Sequence, residues 1–426
     1  MTRTARLTLL WTALVLAAIV GALALAYVKL VPTDQELTEQ IRSQAEARLG
    51  VEVALRSAHL QLWPNAELVI EEASTVQPQP IRIKRLVAQP RLAALLRGQV
   101  DLEEVSIDGA VLPQRSLGAL RMRPAPREQG NAVQVARINF RDTIWITRNG
   151  TPLEFEGSMQ FGPGWQLRDA EVVRPGVLPV SRIALTPAGD EHWKVRLEVG
   201  GGSADGEIAL KAGSNGALVL SGQLAPRNID VAPALSSFKR HSAVSGKASG
   251  RTELSSSGNN IGELARALHT RTSFSVAAAS LKHIDVDKAI RSFGKDRAGQ
   301  TPLQSLTGQM DTQNTADGMV VRFTGLQAKG DTFSAKGEAT IADRHVNGAM
   351  TVDLVGGLIG VPLKISGPLA QPQVTVPASA VAGATAGAVI GTAVLPGIGT
   401  AIGASVGTAI GKLFSGTETK RPAPVR

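Results

Sequence analysis

The sequence has no cysteine, and aromatic residues make up only 4% of its 426 residues. The absence of cysteine excludes disulfide bonds, thiolate metal sites and cysteine nucleophiles. With so few aromatic rings, small aliphatic side chains must form most of any core. Apolar residues reach 43% and charged residues 19% of the chain. That balance is typical of a folded protein rather than a disordered one.

Catalytic and nucleotide-binding signatures are also missing. The chain contains no HExxH, Walker A or EF-hand spacing, and its six histidines are isolated in sequence. We therefore expect no catalytic residue, no metal site and no cofactor, and an extracytoplasmic hydrolase is the least favoured function. The net charge of +9 comes from basic residues interleaved with carboxylates along the chain. This pattern favours solvated sheet faces over a nucleic-acid partner.

The N-terminal segment predicts a membrane anchor. Leu7 to Val28 carry no charge and are numerous enough to cross ~30 Å of hydrocarbon as a helix. Arg3 and Arg6 precede the run, so the positive-inside rule places the N-terminus in the cytoplasm and the rest of the chain in the periplasm. A cleaved signal peptide is the alternative, because Ala24-Leu25-Ala26 has the small-x-small form of a cleavage site.

Beyond the anchor, the sequence predicts several short helices. Thr33 and Glu36 fit a capping box and Gly50 a helix end, with Leu37, Ile41 and Leu49 forming one apolar stripe between them. Further helices are expected from Pro90 to Gly98, over 261–268 and over 285–293, the last of which Gly294 would end.

Alternating apolar and polar residues predict that most of the remaining chain forms strands with one apolar face. Turn residues separate these runs, which favours antiparallel meanders over βαβ units. We expect the side chains of the apolar face to contact lipid. The clearest candidates are Ile138, Phe140, Ile144, Val195, Leu197, Phe333 and Ile341.

Two blocks of sequence resemble the AsmA family of Gram-negative envelope proteins. The N-terminal block continues from the anchor and the capped helix through HLQLWPNAELVIEEAS to IRIKRLVAQPRLAALLRGQVDLEEVSIDGAVL. The C-terminal block begins at SGRTELSSSGNNIGELARALHTRTSFSVAAASLKHIDVDKAI and closes with GVPLKISGPLAQPQVTVP. Together the blocks cover roughly half of the chain.

The resemblance implies a mainly β fold, in which a long, curved antiparallel sheet forms a groove whose apolar face carries phospholipid acyl chains. It also implies a role in lipid transport between the inner and outer membranes and in outer-membrane protein assembly. From the residues alone, an ordinary β-sandwich would show the same alternation. A groove of about 20 strands at ~4.8 Å spacing would extend on the order of 100 Å.

The C-terminal tail departs from the family pattern, because 378–414 carries no charge before Lys412. Glycines recur every four residues in two sets, which would place each set on one helical stripe and let two helices pack closely. We expect a membrane-contacting helical hairpin that also permits self-association; a flexible linker is the alternative. The packing glycines are Gly383, Gly387, Gly391, Gly399, Gly403, Gly407 and Gly411.

These observations divide the chain into seven parts. We expect a cytoplasmic start and anchor at 1–31, an AsmA-like module at 32–112, a linker at 113–131 and central strands at 132–239. A second AsmA-like module would occupy 240–377, the hairpin 378–414 and a basic disordered tail 415–426. The expected partners are membrane phospholipids and envelope assembly proteins. A scaffold that supports outer-membrane protein assembly without carrying lipid is the alternative function.

Overall fold

The computed structural model describes residues 33–376, apart from gaps at 62–64, 92–93, 95–100, 118–119, 121–133, 164–165, 214–216, 293–294, 316–317 and 356–359 and at positions 260 and 370. Within these residues the protein is mainly β, with 21 strands joined in one large, groove-like sheet. No helix in the described part of the chain is long and apolar enough to cross a membrane. The anchor predicted at 1–31 and the hairpin predicted at 378–414 lie outside the described residues.

Helix α1 (Asp34–Leu49) follows the predicted end signals closely. The Thr33 hydroxyl accepts a hydrogen bond from the backbone N–H of Glu36, whose carboxylate accepts one from the Thr33 N–H in return. Gly50 ends the helix in the left-handed conformation, with φ at 67°. The capping box and the C-terminal glycine are therefore confirmed, and each satisfies backbone groups that a helix end leaves unpaired.

Strands make up most of the remaining described residues. In chain order they are β1 (Val53–Gln61), β2 (Glu67–Thr75), β3 (Arg82–Pro90), β4 (Asp101–Pro113), β5 (Gln134–Ile146), β6 (Pro152–Gly162), β7 (Gln166–Arg174), β8 (Ser181–Gly189), β9 (His192–Val199), β10 (Gly202–Ala212), β11 (Leu218–Arg227), β12 (Ile229–Asp230), β13 (Val244–Gly258), β14 (His269–Lys282), β15 (Gln300–Leu303), β16 (Ser305–Thr315), β17 (Gly318–Lys329), β18 (Phe333–Ala342), β19 (His345–Leu354), β20 (Val361–Pro368) and β21 (Gln373–Thr375).

The sheet is a meander in which most strands pair with their neighbours in the chain, while β11 also pairs with β13 and β14 with β16. Every pairing is antiparallel except that of β4 with β5, which is parallel. The 21 strands occupy 19 positions, because β11 with β12 and β15 with β16 each fill one position beside a longer strand. The predicted antiparallel meander is thus confirmed, and the pairing continues across the predicted linker at 113–131.

Four further helices are short. They are α2 (Gln114–Leu117), α3 (Val231–Ser236), α4 (Ile261–Arg266) and α5 (Val286–Arg291). The last two confirm the helices expected over 261–268 and 285–293, whereas the sequence did not predict α2 and α3. The helix expected from Pro90 to Gly98 falls largely on residues outside the description, and Pro90 itself ends β3.

Two helices cover the two ends of the sheet with apolar cores. At the N-terminal end, Leu37 and Ile41 of α1 pack on the first strands, in a cluster that includes Leu68, Leu86 and Ile138. At the C-terminal end, α5 buries three side chains in a cluster with strands β14 to β21; these are Val286, Ala289 and Ile290. Between the two clusters, most of the large apolar side chains are only half-buried.

Candidate functional site

An apolar row of paired residues crosses the whole sheet. Each member is the direct partner of the next on the neighbouring strand, so all 19 residues lie on one face. The members are Leu60, Leu68, Ala88, Val105, Ile138, Met159, Ala170, Leu185, Val195, Gly206, Leu224, Thr252, Thr272, Met310, Phe323, Ala339, Gly348, Ile365 and Val374. We call the side of the sheet that carries this row the apolar face.

The two hydroxyls in the apolar row satisfy each other. The Oγ1 atoms of Thr252 and Thr272 lie 2.9 Å apart and share a hydrogen bond. The apolar row is otherwise built from aliphatic residues, Met, Phe and Gly. The face therefore stays apolar even where threonines interrupt the row.

The opposite side of the sheet carries a matching polar row. From β8 to β21 its members are Thr186, Lys194, Glu207, Gln223, Glu253, Arg271, Asp311, Arg322, Thr340, Asn347, Ser366 and Gln373. Asp311 contacts both His269 and Arg271, at 2.8 Å and 3.4 Å.

A shallow cavity of about 640 Å³ lies over the polar row between β9 and β14. Charges of both signs line it, which fits a solvated face better than a site for one charged ligand.

Burial changes along the apolar row. Leu68, Val105 and Ile138 are fully covered by the core beneath α1. In the middle of the sheet Leu185 and Leu224 are half-buried, and Ile183 beside them is 37% exposed. The apolar face is therefore closed at its N-terminal end and only partly covered in the middle, where the buried Val195 lies between half-buried neighbours.

Six of the seven predicted lipid-contacting residues lie on the apolar face. Ile138, Val195 and Phe333 are fully buried there. Phe140 and Ile341 are half-buried, as is Leu197, which pairs with Ile183 on β8 and Ala204 on β10.

The expectation that Ile144 shares this face is wrong. Asp142 adopts a positive φ of 47°, and the pairing of β5 with β6 shifts by one residue between Phe140 and Thr143. This bulge puts Thr143 in the phase that Phe140 held, so Ile144 pairs with Glu154 on the polar side. A bulge centred on a non-glycine residue gives little warning in a sequence.

Glycines on the apolar face allow neighbouring strands to approach closely. A β-carbon at Gly206 would overlap the carbonyl oxygen of Gln223, and one at Gly250 would overlap that of Ser273. The ring of Phe274 lies over Gly308, 3.3 Å from where a β-carbon would be. A larger residue at these positions would therefore push neighbouring strands apart.

A charged residue, Arg174, interrupts the apolar face near the end of β7. Arg174 lies on the same side of β7 as Ala170 and Val172, and it pairs with Ser181 on β8. Its guanidinium lies over the rings of Phe155 and Phe238, 5.4 Å and 5.5 Å from their centroids. The sequence did indicate this interruption, because Arg174 stands where the alternation of apolar and polar residues along β7 calls for an apolar residue.

Burial lowers the pKa of the Arg174 guanidinium from its ordinary value, whereas the nearby Glu154 carboxylate raises that pKa. Arginine stays protonated under such opposing effects. The apolar face therefore holds a permanent positive charge close to its open part.

Among the described residues, no group of three or more His, Asp or Glu side chains is placed to hold a metal ion.

No protein-family model matches the chain, and no curated protein or solved structure is similar enough to count as a match. The AsmA resemblance stays a prediction that rests on the two blocks of sequence.

Proposed function

We propose that this protein carries phospholipid acyl chains on its apolar face, as an AsmA-like protein anchored in the inner membrane with its bulk in the periplasm. In this role it contributes to lipid transport towards the outer membrane and to outer-membrane biogenesis. The anchor would be the uncharged N-terminal segment, and the glycine-rich C-terminal segment would contact a membrane.

The observation that supports this proposal is a row of mostly apolar residues across the whole sheet, in the middle of which Leu185 and Leu224 are only half-buried. Nineteen positions at ~4.8 Å spacing give the row a length of roughly 85 Å. A folded protein rarely leaves a contiguous apolar strip in water, so the partly exposed middle of the row calls for an apolar occupant. Acyl chains suit it, because each buried methylene contributes about 0.8 kcal/mol whatever its position along the strip.

The alternative function is a scaffold that carries no lipid. The observation in its favour is that both ends of the apolar face are packed like ordinary cores, under α1 and α5. The two functions make different predictions for the middle of the apolar face. A carrier retains lipid on the strands around Leu185, whereas a scaffold has no ligand there.

Native mass spectrometry of the full-length chain, released from detergent, tests the proposal. The chain should retain phospholipid, and Leu185→Glu should abolish the retention because it places a charge in the half-buried part of the apolar row. Thr186→Glu is the matched control, since it adds the same charge one residue away on the opposite face, beside Lys194.

The control variant should retain lipid as the unchanged protein does. If the unchanged chain carries no phospholipid, or if Leu185→Glu carries as much as Thr186→Glu, the carrier proposal is rejected in favour of the scaffold.

A further inference from the structure

Arg174 and Ser181 form a buried polar pair on the apolar face. They are direct partners on β7 and β8, and their exposed fractions are only 7% and 4%. The neighbouring partners in the same phase are apolar, namely Val172 with Ile183 and Ala170 with Leu185. A charge and a hydroxyl have thus been placed at the border of the half-exposed apolar strip.

Both side chains have buried atoms without a hydrogen-bond partner in the described part of the chain. The Arg174 Nε donates to the backbone carbonyl of Glu154 at 3.3 Å, but the Nη1 atom is unpaired, and so is the Ser181 Oγ. The rings of Phe155 and Phe238 stabilise the positive charge through their faces. Aromatic faces supply no oxygen acceptor, so the Nη1 group of the guanidinium still requires one.

We propose that Arg174 and Ser181 bind a phosphate anion, and that this anion is the head-group phosphate of a lipid whose acyl chains lie on the neighbouring apolar strip. The inference rests on the proposed function for the source of the phosphate, but not for the anion site itself. A guanidinium presents paired N–H donors that match phosphate oxygens, and a serine hydroxyl adds a third donor. The lipid would thereby have a fixed orientation, with its head at Arg174 and its chains towards Leu185 and Leu197.

Phe238 controls access to this pair. It follows α3, its ring covers the guanidinium, and the residue is itself 37% exposed. Rotation of the Phe238 side chain towards solvent would uncover Arg174 without breaking the strand pairing beneath it. The phosphate could then reach the edge of the guanidinium, towards which its N–H groups point, while the ring of Phe155 keeps its contact with the guanidinium.

Calorimetric titration of the full-length chain in a nonionic detergent tests the site with three probes. These are dioctanoylphosphatidylglycerol, dioctanoylglycerol, which has the same chains without phosphate, and inorganic phosphate. The phospholipid should bind about tenfold more tightly than dioctanoylglycerol, as one charge-assisted contact in a dry site allows. Arg174→Gln should remove that preference and leave the affinity for dioctanoylglycerol unchanged.

Two further variants complete the design. Ser181→Ala should reduce the preference about threefold, as expected for one neutral hydrogen bond, and it decides the question if Arg174→Gln does not fold. Arg182→Gln is the matched control, because it removes one positive charge at the next position of β8 from an exposed ion pair with Glu171. Its preference for the phospholipid should equal that of the unchanged protein.

An unchanged preference in the folded Arg174→Gln and Ser181→Ala variants overturns the site and leaves Arg174 as an aromatic-stacked structural residue. Arg174-dependent binding of inorganic phosphate without any preference for the phospholipid overturns the lipid source alone. If neither lipid binds the unchanged chain, the proposed function fails. The anion site then depends only on whether inorganic phosphate binds through Arg174.

Discussion

A glutamate placed in the open middle of the apolar face should be tolerated far better than one placed beneath α1. Leu197 is half-buried, so Leu197→Glu forfeits about half of the 1.5 to 3 kcal/mol that burial of a leucine side chain contributes. The new carboxylate can stay hydrated at the open edge. We therefore expect a loss of about 0.8 to 1.5 kcal/mol in the free energy of unfolding, together with loss of bound lipid.

Ile138→Glu is the comparison. Ile138 has an exposed fraction of 0% in the core beneath α1, so the substitution loses the full burial of an isoleucine and adds an ionisable group with no partner. Those two losses together exceed roughly 5 kcal/mol, which is comparable to the whole stability of many domains, about 5 to 15 kcal/mol. We expect this variant not to reach a stable fold.

Urea titrations followed by far-ultraviolet circular dichroism, at equal protein and detergent concentrations, measure the two variants side by side. A small shift of the midpoint for Leu197→Glu and a missing folded baseline for Ile138→Glu would agree with an open groove. If Leu197→Glu unfolds the protein as completely as Ile138→Glu does, the middle of the apolar face is a packed core and the reasoning fails.

Four other perturbations test separate parts of the molecule. Gly206→Ala should lower the unfolding midpoint measurably, because its β-carbon would overlap a carbonyl oxygen of the next strand; an unshifted midpoint would refute the close approach of the two strands at this position. Thr38→Val should cost about 1 to 3 kcal/mol of unfolding free energy and increase self-association in light scattering, because a buried backbone N–H of β1 loses its acceptor, and an unchanged variant would contradict this. A reporter fused at position 130 should be active only as a periplasmic enzyme, and cytoplasmic activity there would disprove the predicted topology. Replacing Gly387 and Gly403 together by Leu should weaken binding of the full chain to phospholipid vesicles without altering the sheet, and unchanged vesicle binding would count against the hairpin.

The sequence predicted those features that depend on neighbouring residues in the chain. Thr33, Glu36 and Gly50 are enough to start and end α1, because caps act over three or four residues. Alternation revealed which side chains share a face, as with Val195 and Leu197, because the phase of an unbroken strand is a local property.

Features that depend on long-range pairing were not predictable. The parallel pairing of β4 with β5 requires the chain to return to the starting end of β4 before β5 begins, and no single residue predicts this return. The bulge at Asp142 moved Ile144 to the polar side, since a non-glycine residue with positive φ has no distinctive pattern around it. Arg174 could be recognised as a basic residue in an apolar phase. Its stacking against Phe238 could not, because five strands and α3 separate the two residues in the chain.

The edges of the sheet bear on the choice between a lipid carrier and an assembly scaffold. An exposed edge strand is a template for pairing with another chain, which is how a scaffold could recruit a β-rich client. At β1 this route is obstructed, because the Thr38 hydroxyl of α1 accepts a hydrogen bond from the Ala58 N–H at 2.9 Å and the Glu46 carboxylate accepts one from the Val53 N–H at 3.1 Å. At the other edge β21 spans only Gln373–Thr375, and short edge strands offer few unpaired backbone groups. Within the described residues, both edges are thus poorly suited to strand addition, whereas the middle of the apolar face is only partly covered. Recognition by this sheet is therefore expected to act through its apolar face, which favours an acyl chain over a β-strand as the occupant.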